Sequence, residues 1–344
     1  MSQFIQLHIL TSFPPSNLNR DDLGRPKTAK MGGFDRLRVS SQSLKRNWRI
    51  SDLFVNSLSA HIGIRTKRFG RTIYQALVDA GVNEKPARSW SIAIANVYGK
   101  CKKDSLDIEQ LAHISPAEQD QALALTRVLA AEDRGPSKDE LKALLNREKT
   151  AVDIALFGRM LASSPEFSVE AACQVSHALS VHSVVVEDDY FTAVDDLNDT
   201  SESGSAHIGE SCFAAALFYS NLCINKTQLI KNLDGDVALA NKAIRALTET
   251  AVKVAPKGKQ NSFASRVYAS FVLAEKGDQQ PRSLSVAFLK PVVSDDIGGK
   301  AVEKIMAQVA AFDSVYGACA DSRYSANAFT GEGSFSQLAD FVVQ

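Results

Sequence analysis

Alternation opens the chain. In residues 4–10 (FIQLHIL), Ile5, Leu7 and Ile9 fall on one side of an extended run and Gln6 and His8 on the other, which predicts a strand. Residues 11–33 break the periodicity with Pro, Asn, Asp and Gly and carry Arg20, Arg25, Lys27 and Lys30, so a long loop is expected. Residues 36–49 (RLRVSSQSLKRNWR) predict a strand passing into a helix, with Ser40 or Ser41 as N-cap. On that helix Gln42, Lys45, Arg46 and Arg49 recur at i, i+3, i+4 and i+7 as one polar face. Leu44, Trp48 and Val55 lie on roughly the opposite side. Such a helix can bury one stripe and hold cations outward, and taken alone it reads equally well as an ordinary solvated basic face.

From about residue 50 to 165 the pattern is helical, with capping boxes at Ser115–Glu118 and Ser137–Glu140. Residues 169–179 read as helix, 181–186 and 211–222 as strands, and 238–254 as helix. Residues 266–273 and 284–289 read as strands. A last helix over 300–312 places Val302, Ile305, Met306 and Val309 on one face. Strand–helix–strand units at both ends, with one helical insertion, predict an α+β fold. Its natural core is ferredoxin-like, of the kind RNA-recognition domains use.

Composition alters this picture in one respect. The 344 residues have zero formal net charge, yet residues 1–71 hold 13 Lys/Arg against four Asp/Glu, leaving 26 against 35 in the remainder. Residues 187–210 carry eight carboxylates and no Lys or Arg. A chain basic at one end and acidic in one excursion can bind a polyanion and pair with copies of itself. There is no long apolar run to span a membrane and no signal pattern at the start, so a cytoplasmic location is expected. The five cysteines form no C-x-x-C, which indicates neither a zinc site nor a disulfide framework.

Signals for catalysis are poor. H-E-x-x-H, G-x-S-x-G and phosphate-binding glycine motifs are missing, and the six histidines show no ligand spacing. Asp195-Asp196 in an acidic segment reads as solvated rather than metal-binding, and Asp35 is one acid within a basic region. The chain is expected to be non-enzymatic, without cofactor or metal. Signals for binding are better. Tyr190, Phe191, Thr192 and Val194 put aromatic and β-branched groups at the base of the acidic segment, able to wedge between bases or to anchor a loop. Residues 258–262 form a polar loop with Lys259, Gln260 and Asn261, and residues 152–160 (VDIALFGRM) end in Arg159 and Met160.

FIQLHIL, Leu18-Asn-Arg-Asp-Asp22, Arg38-Val-Ser-Ser-Gln-Ser-Leu-Lys-Arg46, VDIALFGRM, Phe191-Thr-Ala-Val-Asp-Asp-Leu197 and Gly204-Ser-Ala-His207 occur in that order. As a set they resemble the CasC family, the repeated backbone subunit of type I-E CRISPR Cascade complexes, from residue 4 to about 222. The resemblance implies a hand: a palm from residues 1–50, 166–186 and 211–344, helical fingers over 51–165 and a thumb over 187–210. It implies crRNA and target DNA as partners, with further copies of the chain polymerised head to tail and subunits of the CasA, CasB, CasD and CasE types. RNA contacts implied by matching positions are Arg20, Lys27, Ser40, Gln42, Lys45, Arg46, Arg49, Met160, Tyr190, Phe191, Thr192 and Val194. To these the reading of the residues adds Arg159, Lys259, Gln260 and Asn261. Arg65, Lys67, Arg68 and Arg71 are expected to meet target DNA or a neighbouring copy. Tyr190 stands where the family usually has a tryptophan, and Arg49 where it has a lysine. Two other readings stand beside this one: a related subunit that cuts target RNA through Asp35, and a protein-interaction module.

Overall fold

The apolar run that opens the chain becomes the centre of a sheet rather than its edge. In the computed structural model, which describes residues 3–145, 150–161, 164–193 and 207–344, the strand Phe4–Ser16 lies between Phe271–Gly277 and His207–Asn225. Ala178–Ser180 flanks His207–Asn225 on the far side. With helices Ser41–Arg49 and Val237–Lys253 in the crossovers, these four strands have the ferredoxin-like order, the first strand between the third and the fourth. Ser322–Asn327 extends one edge, and the hairpin Thr28–Met31/Phe34–Val39 extends the other. The chain is an α+β protein, as the periodicity predicts.

Two compact units share the residues. One holds Phe54–Gln174 and Ile224–Ala246, and the other holds Gln3–Leu53, Val175–Cys223 and Leu247–Gln344. The first packs helices such as Phe69–Asp79, Glu84–Tyr98 and Pro116–Glu132 around Ile73, Leu77, Ile94 and Leu129. Both capping boxes are present, Ser115 with Glu118 and Ser137 with Glu140. This unit also holds a strand pair, Ile64–Thr66 with Ala112–Ile114, inside the stretch expected to be all helix.

The second unit holds the sheet, and several expectations change there. Residues 11–33 are largely ordered: the first strand runs to Ser16, and Thr28–Met31 pairs with Phe34–Val39 through a Gly32-Gly33 turn with φ of 62° and 87°. The first helix stops at Arg49, so Val55 belongs to the next helix, Asp52–Leu58. Residues 169–179 form no helix, because Ala178–Ser180 is drawn into the sheet between Phe34–Val39 and His207–Asn225. Residues 181–186 form no strand, and the strand expected over 266–273 lies at Phe271–Gly277. Residues 284–289 make a single 3-10 turn, Ser285–Phe288, with Leu284 and Phe288 buried on one side. On the helix Ile297–Tyr316, Ala301, Ile305 and Val309 are buried while Met306 is exposed.

The opening strand is buried on both faces, so Gln6 and His8 are as inaccessible as Ile5, Leu7 and Ile9. Each apolar side chain there contributes about 1.5–3 kcal/mol, and the polar ones are tolerated because they are paired. Gln6 Oε1 accepts from the Arg282 N–H at 2.9 Å. His8 Nε2 lies 3.0 Å from Glu275, which also receives Arg282 and Arg323 at 2.7 Å each. Burial alone would raise the Glu275 pKa, but hydrogen bonds from His8, Arg282 and Arg323 hold it below the usual carboxylate range. An ionised Glu275 only accepts, so His8 donates through Nε2–H and receives the Tyr219 hydroxyl at Nδ1, 2.9 Å away.

Glu187–Ala193 pairs antiparallel with the start of the long strand, from Glu187↔Phe213 to Ala193↔His207. Every side chain of Glu187–Ala193 is exposed. Val194, Asp195, Asp196 and the middle of the expected thumb lie outside the described residues. Among the described residues, no helix is long and apolar enough to cross a membrane.

Candidate functional site

The strand-to-helix unit predicted from residues 36–49 forms, and its arginines divide into two roles. Arg36 is fully buried; its Nη1 donates to Ser180 O at 3.1 Å and its Nη2 to Phe288 O at 2.8 Å. It pins the hairpin to the sheet and presents no charge to solvent. Arg38 reaches the partly open side, where Nη1 donates to His177 Nδ1 at 3.1 Å. Ser40 caps the helix, accepting from Ser43 N at 3.3 Å, and its own N–H donates to Asn19 Oδ1 at 2.9 Å. The loop bearing Arg20 and Lys27 is thereby fastened to the helix start. Lys27 N donates to Asn19 O, and Arg38 N to Lys27 O, both at 2.8 Å.

These contacts collect cations around one imidazole. Burial chiefly, and then the charges of Arg38, Lys27 and Lys45, hold the His177 pKa below its ordinary value. Since Arg38 only donates, His177 Nδ1 is the acceptor and the neutral ring keeps its proton on Nε2. Gln42, Arg46 and Arg20 are exposed beside this group, and Lys45 and Arg49 are half-buried. The like charges of Lys27, Arg38 and Lys45 around His177 make a surface that favours an anion, and the helix start adds its dipole.

The loop expected at residues 258–262 closes on the same region. A side chain at Gly258 would overlap the carbonyl of Leu18, so this glycine allows backbone against backbone. Lys257 N donates to Asn47 Oδ1 at 3.1 Å, tying the loop to the first helix. Lys259, with φ of 46°, and Asn261 point outward, whereas the Gln260 amide faces the Ser265 N–H at 3.0 Å, a donor that assigns the amide oxygen to that position. Gln260 is therefore occupied in holding its own turn.

The base of the paired ribbon joins this region. Asn17 Nδ2 donates to Cys212 O and Gly24 O at 2.9 Å each, and Arg25 lies 3.2 Å from Asp188. Phe213 meets Phe263 at 6.1 Å between ring centroids. Tyr190 is 65% exposed, Phe191 and Thr192 are exposed, and the Phe191 ring covers its cross-strand partner Gly209. Phe191 is thus partly an anchor of the ribbon, while Tyr190 projects from it.

In the helical unit the expected residues fare differently. Arg159 is buried, its Nη1 on Glu118 at 2.7 Å, and cannot offer its charge to an outside anion. Its neighbour Met160 is 89% exposed. Arg65 and Arg68 are exposed and Lys67 half-buried. Arg71 is bound through two nitrogens to Asp107 at 2.6 Å, and the bridge holds the Asp107 pKa below the usual range. Arg25, Arg38 and His177 are participants that reasoning from periodicity passed over. Arg38 was visible within the RLRV strand, but His177 joins it only through the sheet pairing.

Comparison with known proteins follows this geometry. Residues 5–339 match the model of the family described as CT1975-like protein. A chain of a solved CRISPR RNA-guided surveillance complex, pre-nicking, is similar over 99% of both chains, with 28% identity and a TM-score of 0.85. A chain of another CRISPR RNA-guided surveillance complex covers 99% of both chains at 23% identity and a TM-score of 0.74, a likeness of fold alone. No curated protein sequence matches.

Proposed function

The chain belongs to the CT1975-like protein family, and from that premise we propose that it is the crRNA-binding backbone subunit of a CRISPR surveillance complex. We assign it to type I-E and to the CasC kind on the motif set between residues 4 and about 222. The observation that carries this reading is the grouping of Lys27, Arg38 and Lys45 around neutral His177, beside a capped helix start. A guide-holding protein must accept any spacer, so it should grip phosphates and leave base edges free. Lysine and arginine at a helix start do that, with Arg20, Gln42, Arg46, Arg49, Lys259 and Asn261 extending the track.

Tyr190 and Met160 act as sequence-tolerant wedges against bases, each on a rigid support. The role is one of holding the guide for hybridisation with target DNA, without catalysis by Asp35. Copies join head to tail, a heterologous contact that propagates along the RNA. The acidic ribbon is repelled by RNA phosphate, so its outer face meets basic protein such as Arg65, Lys67 and Arg68 of a neighbouring copy. Subunits of the CasA, CasB, CasD and CasE types complete the complex.

Co-expression with a CRISPR array tests the reading. Purified protein should carry a uniform small RNA with repeat-derived ends. Bare protein, or RNA of random length, would overturn it.

A further inference from the structure

His177 has a second face. Beyond the cation group it lines a cavity of about 200 Å³, walled also by Met31, Leu179, Tyr219, Asn221 and Phe288 and edged by Ser176, Ser180, Ser283 and Ser285. We propose that this cavity receives an unstacked nucleobase of the RNA held by Lys27, Arg38 and Lys45, a deepening that rests on the RNA-binding reading above.

Three features of the wall fit that ligand. First, the rings of Tyr219 and Phe288 lie 5.4 Å apart at 47°, an aromatic corner suited to a planar heterocycle. Second, the Ser176 hydroxyl at the mouth can serve any base. Its Oγ already accepts from Asn221 N at 2.9 Å and so retains its O–H as a donor, whereas Ser283 is engaged with the Ser285 N–H and the Tyr219 hydroxyl. A hydroxyl that turns between donating and accepting does not select among bases, which a guide-independent subunit requires. Third, the Asn221 side-chain oxygen is buried in this wall without a hydrogen-bond partner among the described residues. An acceptor in that position calls for a donor, and bases carry ring and exocyclic N–H groups.

The location supplies the rest. His177 both lines the cavity and neighbours the cations, with Arg38 Nη1 3.1 Å from its Nδ1, so a nucleotide whose phosphate rests on Lys27, Arg38 and Lys45 would have its base within reach of the opening. An apolar side chain from a neighbouring subunit would fill the same volume but would leave Asn221 unpaired and would gain nothing from the cations.

Photocrosslinking tests this with the wild-type protein assembled on RNA carrying 4-thiouridine at each position in turn. A subset of positions should crosslink to the peptides that contain His177 and Phe288. Ser285→Trp, with its melting temperature checked against wild type, should abolish those crosslinks while RNA retention is kept. Crosslinks confined to the Tyr190 or Met160 peptides, with RNA still bound, overturn the cavity assignment alone. Loss of subunit assembly in Ser285→Trp with the RNA crosslinks intact assigns the cavity to a neighbouring copy and also overturns it. A wild-type protein that retains no RNA overturns the parent reading and this inference together.

Discussion

Arg159 and Met160 are adjacent in the chain and have opposite environments. The Arg159 guanidinium is buried on the Glu118 carboxylate at 2.7 Å and also donates to His113 O at 3.2 Å, while Met160 is 89% exposed. The Arg159 backbone is paired with Val169 in both directions, at 3.0 and 2.8 Å. An exposed thioether is thus carried on a backbone fixed from two sides, an arrangement that suits a wedge.

The pair should separate stability from function. Arg159→Ala leaves Glu118 buried without its counter-charge and is expected to destabilise by about 3–5 kcal/mol. Met160→Ala removes only exposed surface and should change stability by less than about 0.5 kcal/mol. In bound RNA carrying 2-aminopurine, Met160→Ala should reduce the unstacking signal at specific positions. Equal melting temperatures for the two variants would contradict the anchoring role of Arg159.

Replacing Lys27, Arg38 or Lys45 by Ala should weaken binding of every RNA sequence by a similar factor. Each lost phosphate contact should lower the slope of log affinity against log salt by about 0.7, as for single strands. Filter binding across a salt series measures both quantities. A loss restricted to particular guides would show that these residues read bases and not phosphates.

His177 gives the binding a pH dependence of definite sign. In the free protein, burial and then Arg38, Lys27 and Lys45 depress its pKa, so the ring is neutral at and above the ordinary imidazole value of about 6.5. Bound phosphates offset those cations and raise the pKa, so the complex holds more protons than the free protein. Affinity should therefore rise as pH falls below about 6.5 and level off once the free protein is also protonated. His177→Gln should flatten the profile between pH 5 and 7 in isothermal titration. A profile that the substitution leaves unaltered would assign the dependence to other groups.

Much of this was legible in the sequence, and the boundary is physical. The capping boxes at Ser115 and Ser137 and the Ser40 cap were readable because donor and acceptor lie within four residues of each other. The basic helix followed from short-range pattern as well, whereas the contact roles of Tyr190 and Met160 were implied by matching positions in the resembled family. Arg159 was misassigned because its partner Glu118 is 41 residues distant, beyond any local period. His177 joins Arg38 across 139 residues through strand pairing that no single segment encodes. The burial of the polar side of the first strand was hidden for the same reason, since distant Glu275 and Arg282 supply the polar partners of His8 and Gln6. The apolar run at 284–289 became a turn because Leu284 and Phe288, four residues apart, are the buried pair.

Gly258 offers a test of how the site is held together. A Cβ there would collide with the backbone of Leu18 and Asn17, atoms that cannot swing aside as a flexible side chain would. Gly258→Ala must displace either its own loop, with Lys259 and Asn261, or the segment that leads into Asn19 and Arg20. Overpacking of this kind costs about 1–3 kcal/mol. Binding should fall further than in Lys259→Ala, because several contacts lose register together. Gly235→Ala is the matched control: its φ of 84° makes a side chain strained, but its surroundings are open. That strain costs about 1–2 kcal/mol and should leave RNA affinity unchanged. If the two glycine variants lose stability alike and bind RNA alike, the close approach of residues 17–18 and 258 has no part in organising the site.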